Sequence, residues 1–504
     1  MQPVLISGVW TAADADAPSF HAWNPSTGAA LTDRFPISSG ADLDRMGSAA
    51  EAASDALASA DPDLIRDFLL GCAEAIEARR SEIARTAHLE TGLPIEPRLA
   101  QVEFDRMIGQ LRTAADAAAD TSATGWRRPL SDGPSDIRSD RGPLGGAVLT
   151  IGPNNFPLAF HAVAGGDFAA AIAAGNPVIA KGHPLHPGTG LLLAQCVAEA
   201  LQASALPPAT VQYFHHCSPE DGARLVRHHG VAAVGFTGGR EAGLGIKRVA
   251  DDVGKPAYLE MSSTNPVFAS MHADSEEVEA LTEAWVDSIT LGGGQFCTKP
   301  GLLIVIGHQT ADRIASLAEA RLRTCDPGIL FSESGRDGFI AGVGACESAG
   351  ATRRCGGASV DPGWRVEPTL LEVDGENARR SWSVLSREVF GPLGMMVRVE
   401  EMSTAIELAR MLEGQLTATL WGDPACESAW RPLLRVLRPK CGRLLERKMP
   451  TGVAVVPTMV HGGPFPATAH AGYTSVGLPA SIDRFTHARC WDGVSASLRP
   501  SWLR

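Results

Sequence analysis

The feature that most constrains the fold is a series of short, continuously apolar runs between residues 143 and 260. GGAVLTIG, NPVIAKGHP, ATVQYFHH, VAAVGFTGG and KPAYLEMS follow one another. Helical patterns separate them, over about 188–203, 219–229 and 240–252. Strands that are apolar at every position are covered on both faces, which is the signature of a parallel sheet flanked by helices. The expected unit is built from βαβ connections, with its ligand crevice beyond the carboxyl ends of the strands.

A second α/β series follows residue 260, with helices over 275–292, 310–324 and 402–414 and strands GLLIVIG, GMMVRVE and LTATLWG. Ahead of the first series, helices are expected over 41–60, 62–92 and 96–120; within it, an apolar helix is expected from Pro157 to about Ala174. The polar stretch 122–141 reads as a hairpin around Ser131-Asp132-Gly133-Pro134. From 452 onward the chain is rich in Pro and Gly, with few periodic segments. A length of 504 residues accommodates several domains. The expected division is 1–121 with 142–259 as one unit and 260–451 as a second, with 122–141 and 452–504 standing apart from both.

Composition removes several functions. The net charge of −13 argues against a nucleic-acid partner, which needs a basic face. The ten cysteines are scattered, with no C-x-x-C pair and no zinc spacing, so no metal is expected. Unpaired thiols in a large chain point to a reducing, cytoplasmic setting. The most apolar stretch, Phe168 to Ala180, is broken by Gly175, Asn176 and Pro177 and is too short to span a membrane. The first residues lack a basic segment followed by an apolar one, so no signal peptide is expected.

Four positions carry chemistry. Cys297 follows Gly292-Gly293-Gly294-Gln295-Phe296, and glycines let backbone approach a ligand and leave a thiol accessible as a nucleophile. Glu260 ends an apolar strand, where a carboxylate can activate water. Asn155, between a strand and a helix, carries an amide able to donate to an oxyanion. Phe236-Thr237-Gly238-Gly239 opens a helix whose N-terminus can meet a pyrophosphate. Singly, each also has an ordinary reading: a core thiol, a solvated strand-end charge, a turn Asn, a tight turn.

Their order is more specific. PNNFP, AKGHP, GFTGG, LEMSS, GGGQFCTKPG and the later Ser386-Arg387-Glu388-Val389-Phe390-Gly391-Pro392 together closely resemble the aldehyde dehydrogenase superfamily, from about residue 5 to 495. The resemblance implies an α/β aldehyde dehydrogenase fold: a Rossmann-like cofactor domain, an α/β catalytic domain and a small oligomerisation element. It implies Cys297 as nucleophile and Asn155 as oxyanion donor with the Cys297 backbone N–H. Glu260 is then the base that hydrolyses the thioester. For the cofactor it implies Lys181 and His183 near the adenosine ribose. Phe236, Thr237 and Gly238 lie at the pyrophosphate turn, and Glu388 and Phe390 at the nicotinamide ribose.

The stretches 180–189, 260–266 and His461-Gly462-Gly463-Pro464-Phe465-Pro466 resemble the α-ketoglutaric semialdehyde dehydrogenase branch, which also includes a fatty-aldehyde enzyme. The wider family favours NAD through an acidic residue three positions after the lysine. Here that position is Pro184, which tilts the expectation from NAD toward NADP. Lys299 departs from the branch, which has Asn there; it is expected either to lower the thiol pKa or to sit in solvent. Arg106, on one helix face with Gln110, is the candidate clamp for a substrate carboxylate.

The expected partners are a small aldehyde and further copies of the chain, as a homodimer or homotetramer. The competing readings are a medium- or long-chain aliphatic aldehyde as substrate, or a catalytically silent relative. A cofactor-free thiol hydrolase would need a His beside Cys297.

Overall fold

The computed structural model describes residues 1–122, 125–130, 136–422 and 427–504. The five apolar runs form the expected parallel sheet, in the order Ala257–Glu260, Val231–Thr237, Ala147–Ile151, Val178–Lys181, Val211–Phe214. The strand order reverses between Ala147–Ile151 and Val231–Thr237. Chains leaving those two strands diverge and open a crevice at their carboxyl ends. Asn155 follows the first of them and Gly238 the second, and Thr237 lies beside Glu260 in register.

An antiparallel hairpin that the sequence pattern did not show, Val4–Ile6 with Val9–Thr11, extends this sheet beyond Val211–Phe214. The second sheet runs Thr352–Cys355, Thr369–Asp374, Leu393–Val399, Leu302–Ile306, Val267–Ser270, Gln415–Gly422, Cys441–Glu446. It is parallel except for the first strand. Both sheets are helix-covered, and their central strands are buried almost throughout, while the edge strands Val9–Thr11, Thr352–Cys355 and Cys441–Glu446 are more exposed.

Several expected helices are divided. The stretch 62–92 is two helices, Pro62–Ala78 and Arg80–Thr91, broken at Arg79, whose φ of −110° and ψ of 17° leave the helical well. The stretch 96–120 is a regular helix only over Phe104–Ala119. The wider-turned Ile95–Glu103 precedes it, with Glu96 extended because it stands before Pro97. The apolar helix after Pro157 is confined to Gly166–Ala173. Residues 157–164 form turns, and Ala164 takes a φ of 80° that no helix contains. The helix Glu333–Ser348 was not anticipated.

The strand expected near residue 140 spans Ile137–Pro143 and pairs with Thr486–Asp492. Buried Asp140 holds that ribbon together, accepting from Arg489 at 2.7 Å and from the indoles of Trp491 and Trp502 at 3.0 Å each. The turn expected over 131–134 lies outside the described residues. The nine described cysteines are all unbridged. Among the described residues no helix is long and apolar enough to cross a membrane.

Candidate active site

Cys297 is presented by a rigid turn. The helix Glu277–Thr290 ends in Leu291–Gly294, where three successive glycines take φ of 58°, 66° and 68°. At Gly294 a Cβ would also collide with the Gly391 backbone, so no other residue fits. The Gln295 amide donates to the carbonyls of Gly292 at 3.2 Å and Ile329 at 2.9 Å. From the other side, the Asn265 amide clamps the carbonyls of Cys297 and Lys299 at 2.9 and 3.0 Å. The half-buried thiol is thus held by its backbone.

Glu260 stands at the end of its strand, 6 % exposed. Residues 467–469 run antiparallel beside that strand end, with Met261 N–H donating to Ala467 O and Ala469 N–H to Leu259 O. This return of the chain delivers a group the sequence reading did not assign to the site. His461 Nε2 lies 2.9 Å from Glu260 Oε1 and 3.6 Å from Cys297 Sγ. Ser475 Oγ lies 3.1 Å from Glu260 Oε2. His461 belongs to the quoted HGGPFP stretch, but nothing in linear order ties residue 461 to 260 or 297.

Burial opposes ionisation of Glu260. The charge and hydrogen bond of His461, with Ser475 and Cys297, outweigh it and hold the carboxyl below its usual range. Burial, reinforced by the Glu260 charge, pushes the Cys297 thiol well above its usual value. The resting pair is therefore carboxylate and neutral thiol, with the His461 Nε2 proton donated to Glu260. The histidine that a cofactor-free thiol hydrolase requires is thus present, so the cofactor face decides between the two chemistries.

Asn155 is buried, and its amide donates one hydrogen to Gln295 O at 2.9 Å. An amide carries two, so the second remains for an oxyanion. Beyond it lies a tunnel of about 640 Å³, lined by Phe156, Phe296, Leu93, Val102, Arg98 and Arg106 among others. Phe156 meets Phe160 and Phe296 edge to face at 5.2 and 5.3 Å. Arg98 stacks 4.4 Å from the centre of Phe156, but its charge is spent on Glu103 at 2.9 Å and on Asn155 O. Arg106 stacks 4.6 Å from the centre of Phe160, and its buried Nε and Nη2 have no partner. Gln110, on the same helix, donates to Ala159 O at 2.8 Å.

The opposite face fits a dinucleotide. The helix Arg240–Asp252 begins at Gly239 with no side-chain cap, so its first N–H groups are available to a pyrophosphate. A side chain at Gly238 would strike the Phe236 ring, which lies in the core beneath the turn and shapes it from below. Lys181 Nζ reaches its neighbour Gly182 O at 3.2 Å. His183 accepts from Leu185 N–H at 3.2 Å and stacks on His186, which commits it to the turn. A cleft of about 790 Å³ beside this helix is lined by Arg240, Ser262, Arg387 and Glu388. Phe390 is half-buried in the same loop as Glu388.

Lys299 corrects an expectation. It is 2 % exposed rather than solvated, and its ammonium is engaged by backbone carbonyls. Its Nζ donates to Val389 O at 2.7 Å, Gly391 O at 2.9 Å and Leu393 O at 3.4 Å. The clamp that holds both the Cys297 and Lys299 carbonyls orients this side chain toward the 388–393 loop. Burial lowers its pKa and raises that of Glu388, and each charge restrains the other. Lys299→Met should therefore raise KM for the dinucleotide about tenfold, the scale of one lost charged hydrogen bond, and leave KM for the aldehyde nearly unchanged. Steady-state kinetics with each substrate varied separately would check this; equal changes would place the effect at the nucleophile.

The aldehyde dehydrogenase family profile matches residues 10–431. The chain is 37% identical over 500 residues to α-ketoglutaric semialdehyde dehydrogenase 2 of Azospirillum brasilense, covering 97% of this chain and 94% of that one. It is 35% identical over 509 residues to the α-ketoglutaric semialdehyde dehydrogenase of Acinetobacter baylyi, with the same coverages. Among solved structures, an aldehyde dehydrogenase from Bacillus cereus superposes with a TM-score of 0.83 at 21% identity, covering 98% of this chain and 96% of that one. One from Pseudomonas syringae, complexed with NAD+ and octanal, gives 0.81 at 23%, covering 98% and 97%. The expected fold class is the observed one.

Proposed function

Because the chain belongs to the aldehyde dehydrogenase family and is an NAD(P)-dependent aldehyde dehydrogenase, we propose that its substrate is α-ketoglutaric semialdehyde, oxidised to the dicarboxylate through covalent intermediates on Cys297. The observation that carries the substrate is Arg106, a half-buried cation on the tunnel wall with two buried nitrogens that have no partner. A desolvated guanidinium needs an anion, and the far carboxylate of an oxo-acid semialdehyde supplies one.

In this reading His461 Nε2 passes its proton to Glu260 and takes up that of the thiol. The thiolate sulfur then bonds to the aldehyde carbon. The Asn155 amide and the Cys297 backbone N–H receive the developing oxyanion. A bound NAD+ or NADP+ supplies the hydride acceptor, and the chain is left with a thioester on Cys297. Glu260 returns to its ionised form and removes a proton from water, which attacks the thioester, releases the acid and restores the thiol. A cavity of about 30 Å³ adjoining Glu260, His461 and Ser475 has room for a water, and so for the proton's exit.

Lys181, Thr237, Gly238, Glu388 and the free helix start at Gly239 are the residues we assign to the dinucleotide. Phe236 and Phe390 pack behind them, and His183 fixes the turn after Lys181. Pro184 in place of an acidic residue supports a preference for NADP. We assign the first sheet to the cofactor and the second to catalysis, and a cytoplasmic setting follows from the unbridged thiols. A homo-oligomer is supported by Thr486–Asp492 and Cys441–Glu446, which stand at the edges of their sheets among the described residues and which a second copy would cover.

The apolar tunnel wall favours a second reading, a medium-chain aliphatic aldehyde. Arg106→Ala separates the two. On α-ketoglutaric semialdehyde it should cost about 2–4 kcal/mol, roughly 30- to 1000-fold in kcat/KM, and leave hexanal nearly untouched. Assays of both aldehydes with NAD+ and NADP+ give the answer. No loss on either would favour the aliphatic reading, and equal losses would mean damage to the nucleophile.

A further inference from the structure

Cys297 Sγ, His461 Nε2 and a Glu260 oxygen all lie within 4.8 Å of one another. All three take part in the proton transfers proposed above, and their converging atoms are also of the kinds zinc prefers. We propose that this cluster is a zinc site, and that Zn²⁺ bound there reversibly switches the dehydrogenase off.

Thiolate, imidazole and carboxylate are all zinc donors, and catalytic sites of this metal hold it with three protein ligands and one open position. Zn–S and Zn–N bonds of about 2.3 and 2.0–2.1 Å in tetrahedral geometry place sulfur and nitrogen roughly 3.5 Å apart. The observed separation is 3.6 Å. The imidazole and carboxylate, now 2.9 Å apart across a hydrogen bond, need to open only by a few tenths of an ångström once an ion replaces the shared proton. The fourth position faces the substrate side and takes water.

Charge favours the same occupant. Binding releases the thiol proton to solvent, and the Nε2 proton moves to Nδ1. The ion's two positive charges then cancel the thiolate and the carboxylate. A neutral complex suits a site whose His461 and Glu260 side chains are 3 % and 7 % exposed. The two ligand residues are anchored from outside: the His461 backbone N–H donates to Thr474 Oγ1 at 2.9 Å, and Ser475 Oγ donates to Glu260 Oε2 at 3.1 Å. With its sulfur on zinc, Cys297 cannot add to an aldehyde. The inhibition rests on Cys297 being the nucleophile; the binding does not.

The test is equilibrium binding to the full-length, reduced, chelator-stripped protein. ZnCl₂ is titrated against a chromophoric chelator, and CoCl₂ is used as a spectroscopic stand-in. The expected result is one tight equivalent per chain and a thiolate-to-cobalt charge-transfer band in the near ultraviolet. Binding should weaken about 100-fold in both Cys297→Ser and His461→Asn, and should persist in Cys490→Ser, which alters an exposed thiol. In wild type, zinc should suppress turnover and slow alkylation of Cys297, with EDTA restoring both. Absence of a tight equivalent in wild type, or undiminished binding in both folded variants, would overturn the site. Tight binding without inhibition would overturn the switch and count against Cys297 as nucleophile.

Discussion

Replacing Cys297 by Ala should reduce aldehyde oxidation by roughly 10⁴-fold or more, the scale on which removal of a catalytic nucleophile is felt. Dinucleotide binding should be retained. The two effects separate because the site is built from two independent supports. The turn bearing Cys297 is fixed by Gln295 and Asn265 through backbone carbonyls, and neither bond involves the sulfur. The face we assign to the dinucleotide comprises the ends of Val178–Lys181 and Val231–Thr237 and the helix start at Gly239. A steady-state assay and a dinucleotide titration on the same preparation check both halves. Turnover within tenfold of wild type would remove Cys297 from the mechanism.

Glu260→Gln should give a burst of reduced cofactor approaching one equivalent and then stall. Steady-state kcat should fall by about 10²- to 10⁴-fold, the usual contribution of a general base. The amide oxygen can still accept from His461, so geometry is preserved while basicity is lost. Once the His461 proton shifts from Nε2 to Nδ1, the freed Nε2 can take the thiol proton alone, which keeps the acylation step alive. The same substitution removes the negative charge that, after burial, holds the thiol up. The thiol pKa therefore falls, and alkylation of Cys297 by iodoacetamide should reach its plateau at lower pH than in wild type. Stopped-flow absorbance and a pH series of alkylation rates measure these. Loss of the burst would show that Glu260 is needed for the first step as well.

The sheet was legible because its strands are buried on both faces, so their apolar runs are unbroken and the helices between them are periodic. The site was legible where motif and strand end coincide, at Asn155, Glu260 and the Thr237-Gly238 turn. Legibility failed where long-range contact decides. Residues 157–164 are apolar enough for a helix, but they are shaped into turns beneath the crevice. Lys299 looks solvated in linear order and is buried, because its partners are three carbonyls some 90 residues downstream. His461 and Ser475 lie in a Pro/Gly-rich segment without periodicity, and only the antiparallel contact of residues 467–469 with the end of Ala257–Glu260 brings them to the thiol.

That contact also sets a time at which the enzyme can begin to work. Ser475 is joined to Glu260 across 215 residues, and His461 across 201. At about 5–20 residues per second, the ribosome makes Ser475 roughly 10–40 s after Glu260. Both sheets, which end at Glu446, are synthesised before either group emerges. A nascent chain can thus hold its thiol and its dinucleotide turn while its carboxylate still lacks the imidazole and the hydroxyl that position it. Premature termination after the second sheet would leave a scaffold with an incomplete proton path, so catalytic competence is conferred by residues that follow Glu446.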